Sequence, residues 1–386
     1  METAYITNVG RMLSGDWEAP ILTADTLVIR DGIIAQVGRS ETLKPPDGAV
    51  IIDANGSAVT PGLIDSHCHS VLGDFTPRQL TLNFLESELH GGVTTAISAG
   101  EVHLPGRPKD PAGVKALAIL AAKSFQSYRP GGLKVIGGAV ILEKGLTEED
   151  FIEMARQGVR VVGEVGLGSV KDPQEAAPMI RWAKKQGLIV MMHTGGTSIP
   201  GSSTVTAEMV MAADPDIVSH INGGPTAVST QEAFKLIDQT SYALEIVHCG
   251  NPLRAVEVSR RIVERKEFQR IILGNDAPSG TGVVPLGLLR TLNLITSLGG
   301  VPPELALCMA TGNTARLFGL NRGIIAAGKE ADLVFMDASL GSSGDDLLSC
   351  LSAGDTPGIS LILIDGRVVV KMSRNTPPPK RAAKII

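Results

Sequence analysis

Between residues 59 and 322, apolar β-branched runs of strand length alternate with stretches of helical period. The runs are Pro61 to Ile64, Val93 to Ser98, Leu133 to Leu142, Val159 to Val165, Leu188 to Met192, Asp216 to Ser219, Ala243 to Val247 and Arg270 to Leu273. Runs without strict alternation mark strands buried on both faces, the habit of parallel sheets covered by helices. Helical patterns such as Gly113 to Ser127, Glu148 to Gln157, Glu175 to Gln186 and Pro252 to Arg265 separate them. Eight such units predict a (β/α)8 barrel. The alternative, an open doubly wound sheet, lacks its GxGxxG fingerprint here.

The flanks have a different texture. Ala4 to Thr7, Leu27 to Arg30, Ile33 to Val37 and Val50 to Asp53 are short strand patterns, with Asp31-Gly32 as a hairpin signal. Strand texture returns in Leu333 to Met336, Ser360 to Ile364 and Arg367 to Lys371, with Asp365-Gly366 as a second hairpin signal. The expected fold class is therefore α/β: a TIM-like barrel over residues 59–322 and a small β-sandwich domain built from both termini, residues 1–58 and 323–386. The stiff, polar Pro377-Pro-Pro-Lys-Arg381 stretch reads as an arm or a disordered end.

A net charge of −5 gives no support for nucleic-acid binding or for an anionic membrane surface. No apolar run approaches the length of about 18 residues that a membrane helix needs. The start, Met1-Glu-Thr-Ala-Tyr5, is acidic and unlike a signal peptide. Cys68, Cys249, Cys308 and Cys350 fall at no CxxC spacing, so free thiols in a reducing cytoplasm are expected.

Catalytic groups of such barrels come from the C-terminal ends of several strands. The first run turns polar in Ile64-Asp-Ser-His-Cys-His69. Positions i and i+2 of a strand share a face, so His67 and His69 stand side by side with Cys68 turned away. Later strand ends offer Glu164, His193, His220 and Asp276. A polar residue at one strand end is commonly a cap. Six such groups at one mouth, in a chain with 7 histidines, point to bound cations, because buried carboxylates without counter-charge are costly. Imidazole with carboxylate suits Zn, Fe, Mn or Ni, and the number of donors suits two ions better than one.

Pro61-Gly-Leu-Ile-Asp-Ser-His-Cys-His69, Gly92-Val-Thr-Thr95, Gly312-Asn-Thr-Ala-Arg-Leu-Phe-Gly319 and Gly328-Lys-Glu-Ala-Asp-Leu-Val-Phe335 together resemble recurrent motifs of the amidohydrolase superfamily. The resemblance covers essentially the whole chain. It implies His67, His69 and Asp276 on one divalent ion and His193 and His220 on another, zinc first, with iron at one site as an option. Binuclear members usually bridge their ions with a carbamylated lysine at the end of the fourth strand. Here Glu164 stands in that place, which implies a glutamate bridge and leaves a half-empty second site open.

The resemblance also implies attack of a hydroxide on a substrate carbonyl, with Asp276 as proton shuttle. The glutamate, the few aromatics and the length are most like members that open a cyclic enamide. That implies conversion of tetrahydro-6-oxonicotinate to 2-formylglutarate and ammonia in nicotinate degradation. An adenine-deaminase-like enzyme, an N-acyl amino acid deacylase and an inactive scaffold are the rivals. Expected partners are a small-molecule substrate carrying a carboxylate and further copies of the chain, as a dimer or tetramer. Thr194 and Gly195, in a hydroxyl-rich loop, are candidates to hold that carboxylate. His248, ending the seventh run, reads equally as a substrate contact or a structural histidine.

Overall fold

A computed structural model describes residues 3–386 except 71, 73–83, 105, 198–202, 225, 279–283 and 285. Eight parallel strands run in chain order: Leu63–Cys68, Val93–Ser98, Lys134–Ile136, Val161–Val165, Ile189–Met192, Ile217–Val218, Ala243–Val247 and Ile271–Gly274. The first three form one hydrogen-bonded group and the last five another. Bridges Val140 to Val162 and Cys68 to Ala277 join the two groups and close the barrel. The barrel read from the alternation is thus present.

Helices cover the strands. Their starts carry the expected chemistry: Asp110, Asp172 and Asn251 each accept a backbone amide at an N-cap, followed at once by proline. Proline costs nothing there, because the first-turn amide has no intrahelical acceptor. One apolar cluster packs strands against helices. A separate one joins Ile64, Ile97, Val161, Met191, Ile217 and Ile272 from different strands with Ala139 and Phe318.

Two runs differ from their sequence pattern. The first divides: Ala58–Pro61 pairs with Leu333–Asp337 in a terminal sheet, and the barrel strand begins at Leu63. The third stops at Ile136 rather than continuing to Leu142. Gly138 takes φ +83°, and a Cβ there would lie 2.2 Å from the Ala118 carbonyl oxygen. The chain bends here to pass the helix Pro111–Ser127.

Two sheets outside the barrel mix both ends of the chain. One has five strands and takes Lys384–Ile385 beside Val50–Asp53; the other has six, with Leu333–Asp337 between Gly358–Ile364 and Ala58–Pro61. Asp31-Gly32 and Asp365-Gly366 both have positive φ at each residue, as the tight hairpin turn requires. The C-terminal stretch expected to be free is instead docked. Arg381 forms a two-pronged pair with buried Asp337, each bond 2.7 Å, and Pro378 offers its carbonyl to Leu340 at 2.8 Å. A guanidinium fork matches a buried carboxylate well enough to order a polar tail.

Lys134, in the third barrel strand, reaches into the terminal domain. Its Nζ lies 2.8 Å from Glu330, 2.9 Å from Asp332 and 2.6 Å from Asp365.

Candidate metal centre

The six donors predicted from the strand ends converge. His67, His69 and Asp276 offer atoms within 4.8 Å of one another, and Glu164, His193 and His220 do the same. Local backbone features aim them. The register between the first two strands shifts between Asp65 and Cys68, and that between the fourth and fifth shifts between Val162 and Val165. Such irregularities re-aim side chains beside sites, here His67 and Glu164. His220 at φ +33° and Asp276 at φ +57° adopt left-handed backbone just past their strands. Strain of this kind persists only where the surroundings hold it.

The ring nitrogens settle which atoms face inward. His67 Nδ1 donates to Glu245 Oε2 at 2.7 Å, and His69 Nδ1 donates to the Gly100 carbonyl at 3.0 Å. Each neutral ring then carries a bare lone pair on Nε2. Those two atoms stand 3.3 Å apart, with Asp276 Oδ1 at 3.5 and 3.2 Å. Three electron pairs facing one another repel unless a cation lies between them. On the other side, Glu164 Oε1 lies 2.5 Å from His220 Nε2 and 3.6 Å from His193 Nδ1, while Oε2 points to His67 at 3.6 Å and His69 at 3.7 Å. Glu164 therefore has one oxygen for each triad. The two donor groups fit divalent metal ions.

The electrostatics agree. Burial opposes a charged His67 ring, yet Glu245, Glu164 and Asp276 hold its pKa well above the ordinary value. Burial would raise Glu164, but His220 and His67 hold it well below the usual carboxylate range. Burial likewise opposes ionisation of Asp276, and His67, His69 and His220 bring its pKa below the ordinary value. The site thus keeps its carboxylates ionised and favours positive charge among them.

The expected substrate contacts have other engagements. The Thr194 hydroxyl donates to the Ser219 carbonyl at 2.7 Å and lies 3.2 Å from that of His220. Gly195 exchanges both backbone bonds with Val205, at 3.3 and 2.9 Å. Both residues fasten the strand ends instead of presenting free donors, because a buried hydroxyl or amide takes the nearest acceptor. Part of their loop, 198–202, lies outside the described residues. His248 is half-buried at the end of the seventh strand; burial and then Arg290 lower its pKa.

Sequence reasoning missed three buried groups. Glu245 lies beneath the histidines. Asp65 accepts the amides of His67 at 3.0 Å and Asn275 at 2.9 Å, and burial pushes its carboxyl up to about 7. Glu101, after the second strand, is pushed by burial to about 7 and accepts the Leu72 amide at 3.1 Å. A charged residue inside an apolar run was the available signal for the first two.

An amidohydrolase family model matches residues 58–369. Enamidase of Eubacterium barkeri is 60% identical over 386 residues, all of both chains. A crystal structure of enamidase superposes with a TM-score of 0.96 at 59% identity, again over the full length of each. Imidazolonepropionase of Pseudomonas putida is 24% identical over 85% of this chain and 90% of its own. With the family model spanning most of its length and these donors gathered at the barrel mouth, the chain belongs to the amidohydrolase family.

Proposed function

We propose that this chain is a metal-dependent hydrolase that opens a cyclic amide, with His67, His69 and Asp276 holding one divalent cation, His193 and His220 a second, and Glu164 shared between them. The observation that carries it is the pair of donor triads meeting at the two oxygens of Glu164. Full-length similarity to enamidase supports a cyclic enamide as the substrate class, and tetrahydro-6-oxonicotinate is the proposed member. Zinc is the proposed occupant, with iron at one site, since imidazole accepts both.

Bound there, the cations supply a water acidified to a pKa of about 7 and a Lewis acid for the ring carbonyl. Asp276 does the proton work. Its side chain keeps 13% exposure against 3% for Glu164, so it alone of the two carboxylates reaches the mouth. Oδ1 faces the histidines, leaving Oδ2 to accept the proton released on attack. Its lowered pKa keeps it ionised and ready. Asp276 then returns that proton to the ring nitrogen as the C–N bond breaks and a carboxylate forms at the former carbonyl. The released enamine tautomerises to an imine. A second water replaces its nitrogen, which leaves as ammonia, so two waters are consumed for 2-formylglutarate. His248 is the proposed contact for the substrate.

Elemental analysis of purified enzyme, joined to an ammonia-release assay on cyclic lactams, adenine and N-acetyl amino acids, tests this. Two cations per chain and turnover confined to lactams are expected. Turnover of adenine or of the acylated amino acids alone would overturn the substrate class. Activity untouched by a chelator would overturn the metal reading.

A further inference from the structure

Glu245 lies within the seventh barrel strand, Ala243–Val247, wholly buried, and the reaction above assigns it no part. A carboxylate in such a place is costly unless donors converge on it. Three do. Ser66 Oγ donates to Oε1 at 2.5 Å, His67 Nδ1 to Oε2 at 2.7 Å, and the His220 amide to the same Oε2 at 3.3 Å. The backbone carbonyl of Glu245 also accepts the Ile221 amide at 2.8 Å. A single residue therefore grips one ligand from each triad.

We propose that Glu245 is a positioning residue for both halves of the metal centre: it keeps the His67 proton on Nδ1, so that Nε2 faces the first cation, and it fastens the backbone turn that carries His220 toward the second. The proposal rests on the metal-dependent reading given above.

A neutral imidazole has two tautomers, and the acceptor on one nitrogen selects which nitrogen stays bare. His69 is fixed by a peptide carbonyl, a neutral acceptor at 3.0 Å. His67 is fixed by a carboxylate, which selects more firmly and makes Nε2 a stronger ligand. The His220 turn is held from two sides, by Glu245 on its amides and by the Thr194 hydroxyl on its carbonyls. Those bonds maintain its left-handed backbone at φ +33°.

The test separates charge from shape. Glu245→Gln is isosteric, can still accept from His67 and His220 through its carbonyl oxygen, and can turn its amide to Ser66. Ser66→Ala removes only the Oε1 bond. Full-length wild type and variants, stripped of cations, are titrated with Co(II), reading both dissociation constants and the visible absorption band. Glu245→Gln is expected to bind the tighter cation about 10–100-fold more weakly, with an altered band and a lower kcat at unchanged KM. Glu245→Asp is expected to fall between the two, and Ser66→Ala to stay within about threefold of wild type. Constants and spectrum for Glu245→Gln that match wild type would overturn the proposal alone. Wild type that binds no cation would overturn the metal reading beneath it. Should Glu245→Gln fail to fold, Glu245→Asp decides: weaker binding supports the role, and unchanged constants reject it.

Discussion

The backbone amide of Asp276 donates to the carbonyl of His67 at 2.8 Å, while its Oδ1 stands 3.5 Å from Nε2 of the same histidine. The contact that closes the barrel between its eighth and first strands thus also sets one ligand against another. Asp276→Asn should keep that backbone bond and the side-chain volume, and lose the charge, the proton acceptor and part of the hold on the first cation. Turnover is expected to fall by about 10²–10⁴-fold, the usual worth of a positioned general base, with KM little changed. Steady-state kinetics check it. More than a few per cent of residual kcat would refute the shuttle assignment.

Removing the cations should do more than silence the reaction. It leaves Nε2 of His67 and of His69 3.3 Å apart beside Asp276, with only the proton that the carboxylates hold on His67 to take the cation's place. Ligand binding to the native state alone stabilises by about 2.7 kcal/mol at a hundredfold excess over Kd. A chelator should therefore lower the thermal midpoint as well as abolish activity, and added zinc should restore both. Differential scanning calorimetry on stripped and reloaded enzyme makes the comparison. An unchanged midpoint would mean that the six groups are held without help from a metal.

The barrel and its six donors were legible because both follow from local pattern. Buried parallel strands read as apolar runs, and each donor sits where a run turns polar. What escaped depends on distant partners. Glu245 and Lys134 each interrupt an apolar run, and nothing local says whether such a residue is an edge, an error or a buried pair. Their partners are remote in sequence: Ser66 and His67 for Glu245, and Glu330, Asp332 and Asp365 for Lys134. The third strand was read too long because apolar residues on both sides of Gly137-Gly138 mask a bend that the neighbouring helix requires. The C-terminal stretch was read as free because the acceptor for Arg381, Asp337, is 44 residues upstream.

The thiols provide a check on packing that needs no substrate. Cys68, Cys308 and Cys350 are buried, and Cys249 is half-buried. Burial pushes the Cys308 thiol up to about 12, and burial with the nearby Asp65 raises Cys68 well above its ordinary value. Only the thiolate alkylates, so raising the pH through 8–9 should not activate these two. Intact-mass analysis after iodoacetamide at pH 8 is expected to show labelling confined to Cys249 in native enzyme. All 4 cysteines should label after denaturation. Early native labelling at Cys308 would contradict the packing described.

Lys134→Met asks whether the carboxylate cluster binds the terminal domain to the barrel. Asp332 is 1% exposed, and burial already raises its pKa against the pull of Lys134 and Arg322. Methionine fills the same volume but leaves that charge buried beside Glu330 and Asp365. Breaking a buried pair by deleting one partner costs about 3–5 kcal/mol. Arg322 remains 3.8 Å from Asp332 and softens the loss, so the lower figure is expected. The pH dependence has a definite sign. A carboxyl whose folded pKa lies above its unfolded value binds its proton more tightly when folded, so its ionisation removes stability as pH rises. The deficit of the variant should therefore be greatest at neutral pH and shrink as pH falls toward about 4, where the unfolded carboxyl also protonates. Urea unfolding of both proteins at several pH values measures this. A deficit independent of pH would assign the loss to packing of the lysine stem and not to the stranded charge of Asp332.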